Sequence, residues 1–239
     1  AGIQADIESI AANGGHAITA VTALTVQDTL DVALVEPVPV GLFSRVLDAL
    51  DADIAIDAIK IGLVGDAAIA GAIAGFIDRH PDMPVVLDPV LAAGGGTEMS
   101  SEAIRAAMLE KLLPRVTLVT PNLPEAQRLS GESDAAACAA RLLENGAGNV
   151  LITGGHESGE TVINRWFHAG GVERFAWERL DGEFHGSGCT LASAIAVFLA
   201  RGMPIKLALR LAQAFTHDAL AKAEQIGRGQ KIPHRVAGT

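Results

Sequence analysis

The chain of 239 residues is 49% hydrophobic and carries a formal net charge of −10. That apolar content supports a sizeable core and excludes a largely disordered chain. The acidic surplus disfavours nucleic acid or an anionic membrane as a main partner. No apolar stretch reaches about 18 residues without a charge or a breaker, and no basic-then-apolar leader opens the sequence. Neither a membrane span nor export is therefore expected, and the location reads as cytoplasmic. Cys138 and Cys189 lie far apart in no metal-like spacing, which fits a reduced protein.

In chain order, short runs rich in Val, Ile and Thr alternate with Ala/Leu-rich stretches. "HAITAVTAL" (16–24), "DAIKIGLV" (57–64), "MPVVLDPV" (83–90), "RVTLVTPN" (115–122) and "NVLITGG" (149–155) read as strands. "DAAIAGAIAGFIDRH" (66–80) and "SSEAIRAAMLEKLLP" (100–114) read as helices between them. The alternation predicts a doubly wound, mostly parallel sheet with helices on both faces. The pattern changes once, at "ETVINRWFHAGGVERFAWERLD" (160–181), which predicts an antiparallel edge hairpin around Ala-Gly-Gly. An apolar helix then begins near Cys189 and ends at Gly202, and a last helix is expected from Ile205 to about Gln225. No repeat or linker interrupts the chain, so 1–239 reads as one domain.

In such sheets, ligands bind outside the carboxyl ends of the strands. Gln27-Asp28, Asp88-Pro89, Pro121-Asn122 and Gly154-Gly155-His156 are expected there, sharing one face with Gly186-Ser187-Gly188-Cys189. The glycine turn at 186–188 is either a tight cap over an inert buried thiol or an anion site. In the second case the helix dipole should favour the Cys189 thiolate. Asn122-Leu123-Pro124-Glu125 has capping-box spacing, and the same Asn and Glu could hold Mg²⁺ through its waters. Asp88, closing an apolar strand, is either a turn former or a group with a partner or metal. On the residues alone, Asp6 reads as a solvated residue of a first helical turn and Gln27 as an ordinary loop amide. His156 and His185 have no metal-like partners and read as loop or phosphate-side residues.

Together, "AGIQAD", "TALTVQD", "IKIG", "VVLDPV", "TPNLPEA", "GGH" and "HGSGCTL" resemble, in order, the hydroxymethylpyrimidine and phosphomethylpyrimidine kinases of thiamin biosynthesis. These belong to the ribokinase-like superfamily. The resemblance implies a ribokinase-like α/β fold, ATP and Mg²⁺ as cofactors, a small pyrimidine substrate, and a homodimer. It implies phosphoryl transfer from ATP to a pyrimidine hydroxymethyl group and then to its monophosphate. On the matching positions, Gly2, Asp6, Gln27, Leu63 and Val90 would bind the pyrimidine. Gly186, Ser187, Gly188 and the Cys189 N–H would form an anion hole, with Cys189 as base in place of an aspartate of ribokinase relatives. Asp88 and Glu125 would organise Mg²⁺. Asn122, Thr153, Gly155 and His156 would face ATP and its phosphates.

The resemblance has departures. A strand and Gly-rich turn expected ahead of "AGIQAD" are not in the sequence. Ala93-Gly94-Gly95-Gly96 stands where the family has Ala-Lys-Ser-Gly, and Thr153-Gly154-Gly155-His156 where it has Lys-Gly-Gly-His. Two phosphate-side cations are thereby missing. Asp28 replaces an Asn, and Phe184 a Thr. Two other readings stay open on the sequence: a pyridoxal kinase, and a non-catalytic protein that keeps the pocket.

Overall fold

In a computed structural model describing residues 1–92 and 96–236, the apolar runs pair as the periodicity predicts. The elements are α1 (Ile3–Ala12), β1 (Ala23–Gln27), β2 (Val32–Pro37), α2 (Val40–Asp53), β3 (Ile59–Ile61) and α3 (Ala67–Asp78). There follow β4 (Val85–Leu87), α4 (Glu102–Ala107), β5 (Leu118–Val119), α5 (Leu123–Ser130), α6 (Ala135–Glu144) and β6 (Val150–Ile152). The chain continues through β7 (Thr161–His168), β8 (Gly171–Glu178), α7 (Ser187–Ala200) and α8 (Ile205–Ala221). Strands β3 to β8 form one sheet in sequence order. The first four are parallel, and β7 and β8 close the edge antiparallel, with His168 opposite Gly171 at the turn.

Side chains alternate across a strand, and the alternation feeds two cores. Val85 and Leu87 of β4, with Val119, Val150 and Ile152, pack against α3, α4, α5 and α6. Val86, Leu118, Leu151 and Trp166 point the other way, onto α7 and α8. Helix starts are fixed locally. Asp66, Ser101 and Asp134 each accept a backbone N–H of the first turn they cap.

Three expectations change. "HAITAVTAL" is not a parallel strand of the main sheet. Only its end enters β1, which pairs antiparallel with β2 as a separate two-stranded ribbon. The Asp28–Asp31 link is too short for the crossover that a parallel pair needs. Accordingly Gln27-Asp28 lie at the end of this ribbon, not at a carboxyl end of the main sheet. The stretch 100–114 is one helix only to Ala107; a π turn (Met108–Leu112) and a 3-10 turn (Leu113–Arg115) follow. Pro114 has no N–H to continue the α ladder. Finally, α8 stops at Ala221, short of Gln225.

Candidate active site

The carboxyl ends of β4, β5 and β6 open, with the first turn of α7, into a continuous cleft of about 1680 Å³. Asp88 follows β4 directly. Asn122 follows β5 and bridges Thr153, which follows β6. Gly155 and His156 continue that rim. Gln27 of the ribbon also lines the cleft, as do Gly2, Asp6, Leu63 and Val90. Ala93-Gly94-Gly95 lie outside the described residues.

At the α7 end, Gly186 takes a left-handed conformation with φ 81°, which a side chain would strain. Its carbonyl accepts both the N–H and the Oγ1 hydroxyl of Thr190, at 3.0 and 2.8 Å. The N–H groups that open the helix have no intrahelical acceptor and carry the positive end of its dipole. Gly188 is a close approach. A Cβ there would sit 3.4 Å from Asp88 Oδ1. The half-buried Cys189 thiol stands within reach of the charges of Lys60, Asp88 and Asp6. The surroundings of the thiol work against the expected preference for thiolate. Burial pushes the Cys189 thiol above its ordinary value, Asp88 and Asp6 add to the rise, and Lys60 opposes it.

Asp88 is 5% exposed, and its Oδ2 is buried without a hydrogen-bond partner. Burial raises its pKa to about 6 and Asp6 adds to this, while Lys60 counters it. Glu125 is raised further, to about 8, by burial and by the Asp88 charge. Its side chain also completes a capping box. Oε2 accepts Asn122 N–H at 3.0 Å, and Asn122 Oδ1 accepts Glu125 N–H at 2.9 Å. Two buried carboxyl groups with raised pKa values, one bearing an unpartnered oxygen, are a donor set that fits a hard divalent cation. Among the described residues no group of three or more His, Cys, Asp or Glu converges. Mg²⁺ does not require one, since it retains waters and binds through one or two carboxylates plus phosphates.

Sequence reasoning passed over Lys60. From β3 its ammonium donates to Asp6 Oδ1 at 2.8 Å, and Ser193 of α7 donates to the same oxygen at 2.8 Å. Burial pushes the Lys60 pKa down, but Cys189, Asp6 and Asp88 outweigh it and hold the ammonium charged. A lysine inside an apolar strand run was the available signal. Gln27 Nε2 is turned to Thr25 Oγ1, and Asp28 Oδ1 accepts the N–H groups of Leu30 and Asp31 within its own turn. Arg179, also passed over, holds the Gly155 loop by donating to the carbonyls of Gly155, Glu157 and Gly159. At its base, a Cβ on Gly154 would collide with Ile163 O.

Comparison with known proteins bears on this geometry. The family model for phosphomethylpyrimidine kinase matches residues 1–234. A hydroxymethylpyrimidine/phosphomethylpyrimidine kinase of Rhizobium meliloti is 36% identical over 237 residues, covering 96% of this chain and 89% of that one. The thiamine biosynthesis bifunctional protein ThiED of Geobacter sulfurreducens is 37% identical over 235 residues; the match covers 96% of this chain but only 48% of that protein's length. Among solved structures, an ADP complex of Bacillus subtilis pyridoxal kinase superposes with a TM-score of 0.90 at 28% identity. The superposition covers 98% of this chain and 92% of the other. The phosphomethylpyrimidine kinase of Clostridium difficile gives 0.79 at 28% identity, covering 92% and 93%.

Proposed function

The chain belongs to the phosphomethylpyrimidine kinase family, and on that premise we propose that its cleft seats a pyrimidine at the Asp6 end and ATP at the Asn122 end. The protein is a ribokinase-like phosphotransferase of thiamin biosynthesis. It uses ATP to phosphorylate hydroxymethylpyrimidine, its monophosphate, or both. The likeness to pyridoxal kinases is structural, while the closer sequence matches carry the pyrimidine activity in their names. The observation that carries the reading of the site is the meeting of the α7 turn with the buried, unpartnered Asp88 oxygen.

In this reading, Asp6, Gln27, Leu63, Val90 and the Gly2 backbone hold the ring. Asn122, Thr153, Gly155 and His156 face the ATP phosphates. The N–H groups of Gly186, Ser187, Gly188 and Cys189 converge on the phosphoryl group in transit. Phosphoryl transfer needs mainly position and charge stabilisation, and a preorganised set of N–H donors supplies both. Asp88 and Glu125 would hold Mg²⁺, which when bound offsets phosphate charge. In the first transfer the hydroxymethyl oxygen bonds to the γ-phosphorus and the bond to the ADP oxygen breaks. The minority thiolate of Cys189 takes the hydroxyl proton. In the second transfer the attacking atom is already a phosphate oxygen and needs no base.

Two further parts of the reading rest on the surface. Leu24, Val26 and Leu34 are 65, 59 and 53% exposed on the β1–β2 ribbon, which supports a homodimer through that ribbon. No helix among the described residues is long and apolar enough to cross a membrane, and the two free cysteines support a cytoplasmic place. The test of function is incubation with Mg-ATP and, separately, hydroxymethylpyrimidine, its monophosphate and pyridoxal, with products followed by phosphorus NMR. Diphosphate from the pyrimidine monophosphate is the expected result; transfer to pyridoxal alone would overturn it.

A further inference from the structure

Near the C-terminal end of the described chain, Arg235 is drawn into the interior. Its side chain is 2% exposed, although it belongs to an irregular segment. Backbone bonds lay that segment against the α7 approach. Lys231 N–H donates to Glu183 O at 2.8 Å and His185 N–H to Lys231 O at 2.9 Å, while His234 N–H donates to Ala219 O of α8 at 2.9 Å. From there the guanidinium reaches behind the glycine turn. Nε donates to Thr190 Oγ1 at 2.7 Å, Nη2 to His185 O at 3.1 Å, and Nη1 to Glu8 Oε2 of α1 at 3.1 Å. The Thr190 Oγ1 hydroxyl in turn donates a hydrogen bond to Gly186 O at 2.8 Å. The fork thus ties both ends of the 185–190 turn to one planar group, with Glu8 balancing its charge.

The fit is close. A Cβ on Gly186 would lie 3.0 Å from Arg235 Nη2. The turn has one ladder bond of its own, Thr190 N–H to Gly186 O, and its Gly186 cap has no side-chain hydrogen bond, so its aim depends also on what grips it. Guanidinium suits this role because its donors lie in a rigid plane, whereas an ammonium offers only a point charge. Burying such a cation is costly unless every donor direction has a partner. Here the acceptors are the turn itself and α1.

We propose that Arg235 is a positioning residue for phosphoryl transfer: its fork, acting through Thr190 and the His185 carbonyl, aims the N–H groups of Gly186–Cys189 at the transferred group. The proposal rests on the reading of that turn as the anion hole. Donors that act on charge developing in the transition state affect turnover more than binding. Loss of the fork therefore lowers kcat and leaves KM for the pyrimidine and for ATP within about twofold.

The test uses the full chain with Arg235→Ala, Arg235→Lys, Thr190→Val and Thr190→Ser. Arg235→Ala is expected to lower kcat roughly 100-fold, the scale of a misplacement of about 1 Å. Arg235→Lys should recover little, because it keeps the charge without the fork. Thr190→Val should lower kcat roughly tenfold, a fraction of that same misplacement cost, and Thr190→Ser, which keeps the hydroxyl, should restore most of it. Amide hydrogen exchange gives a readout that needs no activity. Residues 186–190 should lose protection in Thr190→Val and regain it in Thr190→Ser, with the sheet unchanged. If the wild type transfers no phosphate, the kinase reading fails while the exchange data still decide the tether. Unchanged kcat in folded Arg235→Ala, full recovery by Arg235→Lys, or equal protection in Thr190→Val and wild type would overturn the proposal. If Arg235→Ala does not fold, the Thr190 pair decides.

Discussion

Lys60 Nζ lies 2.8 Å from Asp6 Oδ1, joining the edge strand of the sheet to the first helix beneath the cleft. The lysine side chain is 6% exposed and the aspartate 21%, so neither charge has water enough to stand alone. Removing one member of a buried pair strands the other, at a cost of about 3–5 kcal/mol. Lys60→Met should therefore lower stability by about 3 kcal/mol in denaturant unfolding, and the Asp6→Asn/Lys60→Met double variant should lose less than the two single losses added. Additive losses would mean that the two residues stabilise independently.

A second expectation concerns the thiol. Only the free alcohol has a proton to surrender on attack, so Cys189→Ala should slow phosphorylation of hydroxymethylpyrimidine more than that of its monophosphate. A proton acceptor contributes typically 10²–10⁴-fold, and the thiolate here is a minority form, so a gap of roughly 100-fold between the two acceptors is expected. Steady-state kinetics with each acceptor measures it. Equal losses would reduce Cys189 to a donor of its backbone N–H.

The second outcome would not disturb the fold reading, which rested on different signals. Continuous apolar runs ending in Asp88, Asn122 and Thr153 gave the parallel strands and their carboxyl ends, because strands buried on both faces leave that pattern. The Asn122/Glu125 spacing was legible for the same reason: a capping box is a local device. The pairings of Lys60, Ser193 and Arg235 were not legible. Their partners stand 54, 187 and as many as 227 positions away, and no local period encodes such meetings. The ribbon was misplaced because the alternation in "HAITAVTAL" reports extended chain and says nothing of the partner strand. For the thiol, the helix start was legible in the sequence, whereas the burial and the two carboxylates that raise its pKa were not.

The ribbon carries its own prediction. Val26 faces Leu34 across β1 and β2, and Leu24 lies two residues along on the same face. Three exposed branched side chains on a two-stranded ribbon are poorly accounted for in a monomer. Light scattering at micromolar concentration should report a homodimer. Leu24→Asp with Leu34→Asp should yield a monomer of unchanged far-ultraviolet circular dichroism. A wild-type monomer, or a dimer that survives both substitutions, would place any interface elsewhere.

The carboxylate pair couples stability to pH and to metal. Asp88 and Glu125 have ordinary values of 3.8 and 4.5 but titrate at about 6 and about 8 in the folded protein. The folded state therefore holds protons that the unfolded chain has already released. Stability from this pair is fully present below about pH 4, declines as pH rises through 6, and levels off above 8. The thermal midpoint in metal-free buffer should follow that course once other groups are matched by a control variant. Added Mg²⁺ should recover the loss at pH 8, because it binds the ionised pair in the folded state only. Glu125→Gln separates the two roles of this residue. Its amide oxygen can still accept the Asn122 N–H and keep the cap, but one of the two charges is gone. The pH-dependent loss should shrink, the Mg²⁺ recovery should weaken, and the Mg²⁺ concentration for half-maximal transfer should rise roughly tenfold, as outer-shell and ligand changes commonly cost. An unaltered pH course with an unaltered Mg²⁺ titration would leave Glu125 with the cap alone.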